Sequence, residues 1–545
     1  MLEWTEPSTQ LDKGVDHLGL RAAGESCISR LIDFTTTVSW RPRYLSFYCW
    51  AAQQAFLRAG GRLDGQTHRV DARVYRNTFK RLDFALAAAT LVDNEAAQSI
   101  TGSRLIKGHL SRAPFVDTGR LPLTADHLKA SMGGFAVYAG PMRLLGLLGS
   151  AVGFDVPLPG TLGANLAHAF GRSLSATNVH LLDAEALDSD ELARLGAVCG
   201  LDFFSERAAA NPPVAEELRL VRSALLDWQA FQDGKGPSAP RILSVGIILE
   251  LYRLAAGNEV DLDTFRAATL LGEAELAGTE HIALKLPPIY AEVLSHWRVY
   301  QAHAYATLAL ESLLALALDH AHRAAADGDY YRVSRLVEVV LADIRVGAAH
   351  TKGSLPDDLA RWLSLHLRDV ARARWQDLRE HEIAARLAQE QWGSGPALGY
   401  EASLLFVLST LRMRHLLQSG DRWIGHNASW RLPPDRLISA FEQAARTGTC
   451  VSQFLSDTLE HRVLHQHRVN ALRKLVARPS ADSARFAVEG ARMVPLGDIR
   501  PGTSSPRFFN AVEYLFELGY LERETRAPST DGLAVLRRIG NGGAA

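Results

Sequence analysis

Pro506-Arg-Phe-Phe-Asn-Ala-Val-Glu-Tyr-Leu-Phe-Glu-Leu-Gly-Tyr-Leu-Glu-Arg523 is the stretch on which the fold assignment turns. Phe508, Val512, Leu515 and Phe516 recur at three- and four-residue steps, which places them on one face of a helix. Gly519 supplies the left-handed residue that ends such a helix, and Tyr520-Leu521-Glu522 begins a short strand. A turn expected at Ala527-Pro528 leads into Ser529-Thr530-Asp531-Gly532-Leu533-Ala534-Val535-Leu536. That run reads as a capped return into a second helix, because a serine in the cap position satisfies an otherwise orphaned amide.

The same order occurs earlier in the chain. Leu144-Leu-Gly-Leu-Leu148 is followed by Val156-Pro-Leu-Pro-Gly-Thr161-Leu-Gly163-Ala-Asn-Leu-Ala167. Here Gly149, Gly153 and Pro159 fit an irregular loop as well as a hairpin. A helix, a Leu-Gly turn, a hairpin and a Thr-x-Gly return together resemble the winged-helix proteins. The resemblance implies a mainly α, multi-domain helical protein with winged-helix-like modules near residues 140–175 and 485–540. It also implies DNA binding, with the helix from Pro506 in the major groove. The charges pull the other way. That helix carries Arg507 but also Glu513 and Glu517, which would face phosphates, so holding a protein partner is the competing role.

Elsewhere helical periodicity dominates. Leu218, Val221, Leu225 and Trp228 form one stripe, and Ile289, Val293, Trp297, Tyr300, Ala304 and Leu308 another, stopped at Asp327-Gly328. Further helices are expected over 331–346 and from Leu355-Pro356 to about Gln391, the latter with Asp357 and Asp358 in its first turn and a stripe of Leu363, Leu367, Ala371, Trp375 and Leu378. The Gly/Pro-rich run Gln232–Pro240 reads as a linker, and a second break falls between Gln418 and Pro434. At roughly 150 residues per domain, the 545 residues divide into an N-terminal helical domain (1–231), a central bundle (241–420) and a C-terminal domain (435–545).

Composition narrows the function classes. Lys plus Arg (59) almost balance Asp plus Glu (60), which gives no support for a coat that neutralises phosphates. Cys27, Cys49, Cys199 and Cys450 form no CxxC pair, so a reduced compartment is expected. The first fourteen residues lack the basic and apolar regions of a signal peptide. The most apolar run, Tyr305–Leu318, is interrupted by Glu311 and is too short for a membrane span. A cytoplasmic protein is the expectation.

Thr37-Val-Ser-Trp40-Arg41-Pro42-Arg43-Tyr44-Leu-Ser-Phe47-Tyr48-Cys-Trp50 is the most distinctive stretch. Pro42 suits a first helical position, which would set Arg41 and Arg43 beside exposed helix amides able to hold a phosphate. Trp40 and Tyr44 could stack on unpaired bases. Trp40, Arg41, Arg43, Tyr44 and Arg507 are therefore the candidate nucleic-acid contacts, against the plainer reading of core aromatics with structural arginines. Together with Leu18-Gly-Leu-Arg-Ala-Ala-Gly24 and the segment from His461 to Leu475, this stretch is similar to a group of uncharacterised bacterial proteins of mobile islands and anti-phage defence loci. That similarity implies a neighbourhood and no catalytic residue.

Catalytic motifs are sparse. No phosphate-binding loop, Gly-x-Ser-x-Gly elbow or His-Glu-x-x-His occurs, and neither Asp155 nor Asp233-Gly-Lys235 sits in a nuclease-like strand pattern. Asp457, His461 and His465 have spacing that could place three metal ligands on one helix face, against a solvated face in a His/Arg-rich segment. Asp319, His320 and His322 point around their helix. No cofactor is expected. Three functions remain open: a non-catalytic scaffold or adaptor subunit of a DNA-associated complex, with other protein subunits as partners, DNA possible and no membrane; a stand-alone DNA-binding protein; and a metal-dependent nuclease or hydrolase.

Overall fold

The computed structural model describes residues 16–62, 70–124, 133–149, 156–233, 238–276, 281–350, 362–372, 375, 379–389, 396–421, 432–477 and 483–542. Several predicted features lie outside these: the first fourteen residues, Gly153, Asp155, Lys235 with its linker glycines, Leu355–Asp358, Leu378 and most of the break before Pro434. Among the described residues the fold is mainly helical, and strands occur only as short antiparallel pairs.

The organising element is the helix Ala291–Ala326, which follows a single tight turn at Pro288–Tyr290. Its 36 residues span roughly 54 Å at 1.5 Å per residue. Gly328, at φ +77°, stops it where the Asp-Gly signal predicts. The helix is buried on all sides along most of its length, as expected of a helix that is apolar all round. Val293, Trp297 and Tyr300 enter one core, and Val299 to Ala321 enter a second. The first core joins residues from Cys27 to Tyr300 with Phe508–Ile539 from the C-terminal end. The second is built from residues such as Val340, Leu405, Phe454 and Met493. Glu311, fully buried at the middle of the helix, is held by Arg21 at 3.0 and 2.5 Å and by the Gly502 N–H at 3.2 Å. Among the described residues no helix is long and apolar enough to cross a membrane.

Both Leu-Gly stretches form helix–hairpin–helix units, and the two match bond for bond. The first consists of Phe135–Leu144, the pair Leu148–Gly149 with Leu158–Pro159, and Thr161–Ser175. The second consists of Phe508–Glu517, Leu521–Glu522 with Ala527–Pro528, and Thr530–Gly540. Ala527 and Pro528 are thus the return strand, and the turn falls earlier, between Glu522 and Ala527. Gly146 and Gly519 both sit at φ +69°. Leu147 N–H bonds Met142 O at 2.8 Å, and Tyr520 N–H bonds Leu515 O at 2.8 Å. Gly160 N–H closes on Leu147 O at 2.8 Å, and Ser529 N–H on Tyr520 O at 3.0 Å. Each following helix then packs through a glycine: a Cβ on Gly163 would lie 2.0 Å from Leu147 O, and one on Gly532 2.2 Å from Tyr520 O.

That backbone contact makes the Thr-x-Gly glycine a packing requirement rather than a flexible joint. Gly532→Ala is expected to destabilise the protein by about 1–3 kcal/mol, the usual range for overpacking. Gly540→Ala, where a Cβ meets nothing within 4 Å, should leave stability within about 1 kcal/mol. Denaturation midpoints of the two variants check the contrast, and equal midpoints would contradict it.

The helix expected from Leu355 to Gln391 is not continuous. Trp362–Ser364 is a tight turn, Leu367–Val370 a single helical turn, and Glu380–Gln389 a separate helix. The cause is tertiary. Leu367 N–H donates to Thr449 O and Val451 N–H to Leu365 O, so the backbone around His366 pairs across to Cys450 instead of closing helical bonds.

Candidate functional site

The residues expected to meet nucleic acid are largely turned inward. Arg43 has no exposed surface; its guanidinium forks onto Glu217 at 3.0 and 3.1 Å and donates to Val198 O and Gly200 O at 2.8 Å each. Phe204 packs over it, 5.2 Å from the ring centre. Tyr44 is buried, and its hydroxyl accepts the Thr101 N–H. Arg507 reaches across the first core to Ile32 O, Thr35 O, Glu25 and Ser29. The expectation that exposed amides surround Arg41 and Arg43 also fails, because the Trp40 and Arg41 N–H groups both donate to the buried Tyr138 hydroxyl.

A single chemical logic explains these arginines. Helices end in unpaired carbonyls at the negative end of their dipole, and a planar guanidinium can bond those carbonyls and a carboxylate together. Arg43 does so at the end of Ser189–Cys199, and Arg507 just past Leu20–Leu31. Arg241 bonds Asp33 at 2.6 and 2.7 Å and the terminal carbonyls of Pro212–Leu225 at 3.2 and 3.4 Å.

Arg41 does something further. It bonds Glu513 at 2.7 Å and Glu517 at 2.5 Å, joining the N-terminal aromatic–basic stretch to the C-terminal helix. Glu517 is fully buried and also accepts the Phe203 and Phe204 N–H groups. Burial pushes its carboxyl up from the ordinary value, and Arg41 pulls it back. The acids that argued against a DNA-reading helix are thus partners of Arg41, one of the arginines expected to contact nucleic acid.

What remains on the surface there is aromatic. Phe508-Phe509 places consecutive rings on a helix, where both cannot face the core. Phe508 is buried and Phe509 is 48% exposed. Phe509 shares a groove of about 380 Å³ with the half-buried Trp40 and Phe516, and with Tyr252 and Val512. Tyr252 meets Phe516 edge-on at 6.2 Å, and the Arg523 guanidinium lies over Phe516 at 5.2 Å. The rim charges are paired: Arg523 with Glu513 at 2.8 Å and Arg526 with Glu259 at 2.6 Å. Of the candidate nucleic-acid residues, Trp40 is the one that borders open space at this groove. Phe509 was passed over in the sequence reading, although the doubled phenylalanine is a signal that could have found it.

The histidine segment is helical with a wide π turn over Thr458–His465. His461 and His465 are exposed, while Asp457 accepts a bond from Gln453 at 3.1 Å. No cluster of three or more His, Cys, Asp or Glu side chains able to hold a metal occurs among the described residues. Asp319 pairs with Arg323, His320 with Asp343 and His322 with Asp498.

Sequence reading passed over a buried polar cluster behind Glu311. His17 and His467 face each other at 5.8 Å between ring centres. His467 Nδ1 lies 3.2 Å from His17 O, and its Nε2 accepts the Arg485 N–H at 3.0 Å. These contacts fix the neutral tautomer with the proton on Nδ1. Lys474 donates to Asp16 O, clamping the N-terminal segment against the same helix.

No protein-family model, curated protein or solved structure matches this chain.

Proposed function

We propose that the chain is a non-catalytic helical scaffold or adaptor subunit of a bacterial DNA-associated complex, of anti-phage defence type. In this reading it holds a partner protein by seating a large apolar side chain of an extended segment in the groove beside the C-terminal hairpin. The exposed Phe509 facing Trp40 carries the reading. Aromatic walls and already-paired rim charges suit a desolvated anchor residue, since such pockets dominate protein interfaces. They suit a phosphate backbone poorly, because Arg41 and Arg523 are neutralised by Glu513 and Glu517. A groove of about 380 Å³ admits one or two large side chains rather than a helix. The helix–hairpin–helix units supply the winged-helix likeness and with it the association with DNA, as platforms rather than as readers of bases.

The test is affinity capture from the native host with the full chain and with Phe509→Glu. Exposed Phe509 contributes little to folding, so the variant should melt with the wild type while binding of the recovered partner falls at least ~10-fold, as for loss of a hot-spot anchor. Undiminished partner binding by the variant, or no partner with the wild type, would refute the reading.

A further inference from the structure

On the second core, away from the docking groove, four guanidinium groups gather around one concavity. Arg368, Arg372, Arg414 and Arg446 line a pocket of about 420 Å³, over a floor that includes the buried Phe441. Arg368 stands on the helical turn Leu367–Val370 and Arg372 just beyond it; Arg414 lies on Pro396–Gln418, and Arg446 ends Pro434–Arg446. Arg368 and Arg372 thus lie where the long helix expected in this region is interrupted.

The lining is strongly unbalanced. Glu442 is its one carboxylate among the described residues, and Arg414 already holds it at 3.3 Å, with Gln418 at 3.5 Å. Arg368 lies 3.6 Å from its sequence neighbour Asp369, with the side chains 60% and 44% exposed. Arg446 bonds the neutral Gln443 amide at 3.0 Å. Arg372 makes no ion pair among the described residues. Arg414 is matched by Glu442, but Arg372 and Arg446 bring their positive charge to the same concavity with no carboxylate beside them among the described residues. Neighbouring like charges repel, so an anion entering the concavity relieves them, and a cleft lined by one sign of charge focuses the field on whatever enters.

We propose that this pocket binds a phosphate-bearing polyanion through Arg368, Arg372 and Arg446, with Arg414 held in place by Glu442. Planar guanidinium forks match phosphate oxygens two at a time, and several such forks at one mouth select a chain of phosphates over a single monoanion. Two sources present that chemistry: a free oligophosphate, as on a nucleotide, and the phosphodiester backbone of a nucleic acid. The inference does not depend on the docking groove, since it concerns other residues on the other core.

The experiment titrates the full chain, at low and at moderate salt, with inorganic tripolyphosphate and separately with a short DNA duplex. The comparison is Arg372→Ala/Arg446→Ala, which removes two arginines that hold no internal carboxylate and so should melt with the wild type. Arg219→Ala/Arg335→Ala, two exposed arginines paired with Glu216 and Glu338, controls for net charge. Tripolyphosphate binding that weakens at least tenfold in the double variant, and not in the control, supports a free-oligophosphate site. Duplex binding with the same response and a steep salt dependence, with tripolyphosphate inert, supports a backbone site. Absence of binding to both probes at low salt, or equal binding by wild type and double variant, overturns the proposal. Phe509→Glu should bind both probes as the wild type does, which separates failure here from failure of the docking reading.

Discussion

Arg43→Ala is expected to destabilise the first core by about 3–5 kcal/mol, the range seen when one partner is removed from a buried ion pair. The size follows from what is left behind. Glu217 has no exposure, and without the guanidinium only the Ser46 and Ser173 hydroxyls, at 2.5 and 3.1 Å, remain to solvate a full negative charge. Val198 O and Gly200 O lose their donor at the same time. The double variant Arg43→Ala/Glu217→Gln should recover part of the loss, because the stranded charge is gone and only hydrogen bonds and packing are missing. Arg43→Lys should recover less than a charge count suggests, since one ammonium cannot reproduce a fork and two carbonyl contacts. Chemical denaturation midpoints measure all three. If Arg43→Ala melts within about 1 kcal/mol of the wild type, the pair is not a structural keystone and Arg43 is free for another role.

This pair also marks where sequence reading stops. Helix faces and stops were legible, because they are local: Gly328 and Gly519 adopt the left-handed conformations their positions predict. The two Leu-Gly units were legible as repeated local grammar, down to the glycine that lets each helix touch the preceding strand. Partnerships between charges were not. Arg41 and Glu517 stand 476 residues apart, and nothing in either neighbourhood says that a basic stretch near one end cancels an acidic helix near the other. Arg41, Arg43 and Arg507 read as a positive surface only because their carboxylates and helix ends were out of sight. The stripe from Leu363 to Trp375 erred in the opposite way. Its spacing is helical, yet the backbone near His366 finds better partners in Thr449 and Val451. Arg368 and Arg372 stand beside this interruption in the arginine-lined pocket.

Acidification should find the other weak point, the histidine cluster behind Glu311. Burial, reinforced by the nearby cations and, for His17, by His467, lowers His17 from 6.5 to about 2 and His467 to about 4. Both folded values are depressed, so the unfolded chain binds more protons below pH 6.5. The neutral rings therefore contribute stability that is complete above pH 6.5 and is lost as the pH falls from there toward 4. At about 1.4 kcal/mol per pH unit for each ring, the two together should lose about 4 kcal/mol between pH 7 and pH 5. Glu311 works against them: burial raises it to about 7, so its protonation favours the folded state over the same range. The wild-type curve alone mixes these effects, and a comparison separates them. His17→Gln/His467→Gln removes the ring titrations and keeps Glu311, so its stability gap to the wild type should shrink by about 4 kcal/mol on going from pH 7 to pH 5. The geometry gives a reason beyond desolvation. A proton on His467 Nε2 would displace the Arg485 N–H it accepts, and a charged His17 would face Arg21, Lys474 and Arg485. A gap that stays constant with pH would mean that water reaches these rings and that the cluster opens far more readily than its packing implies.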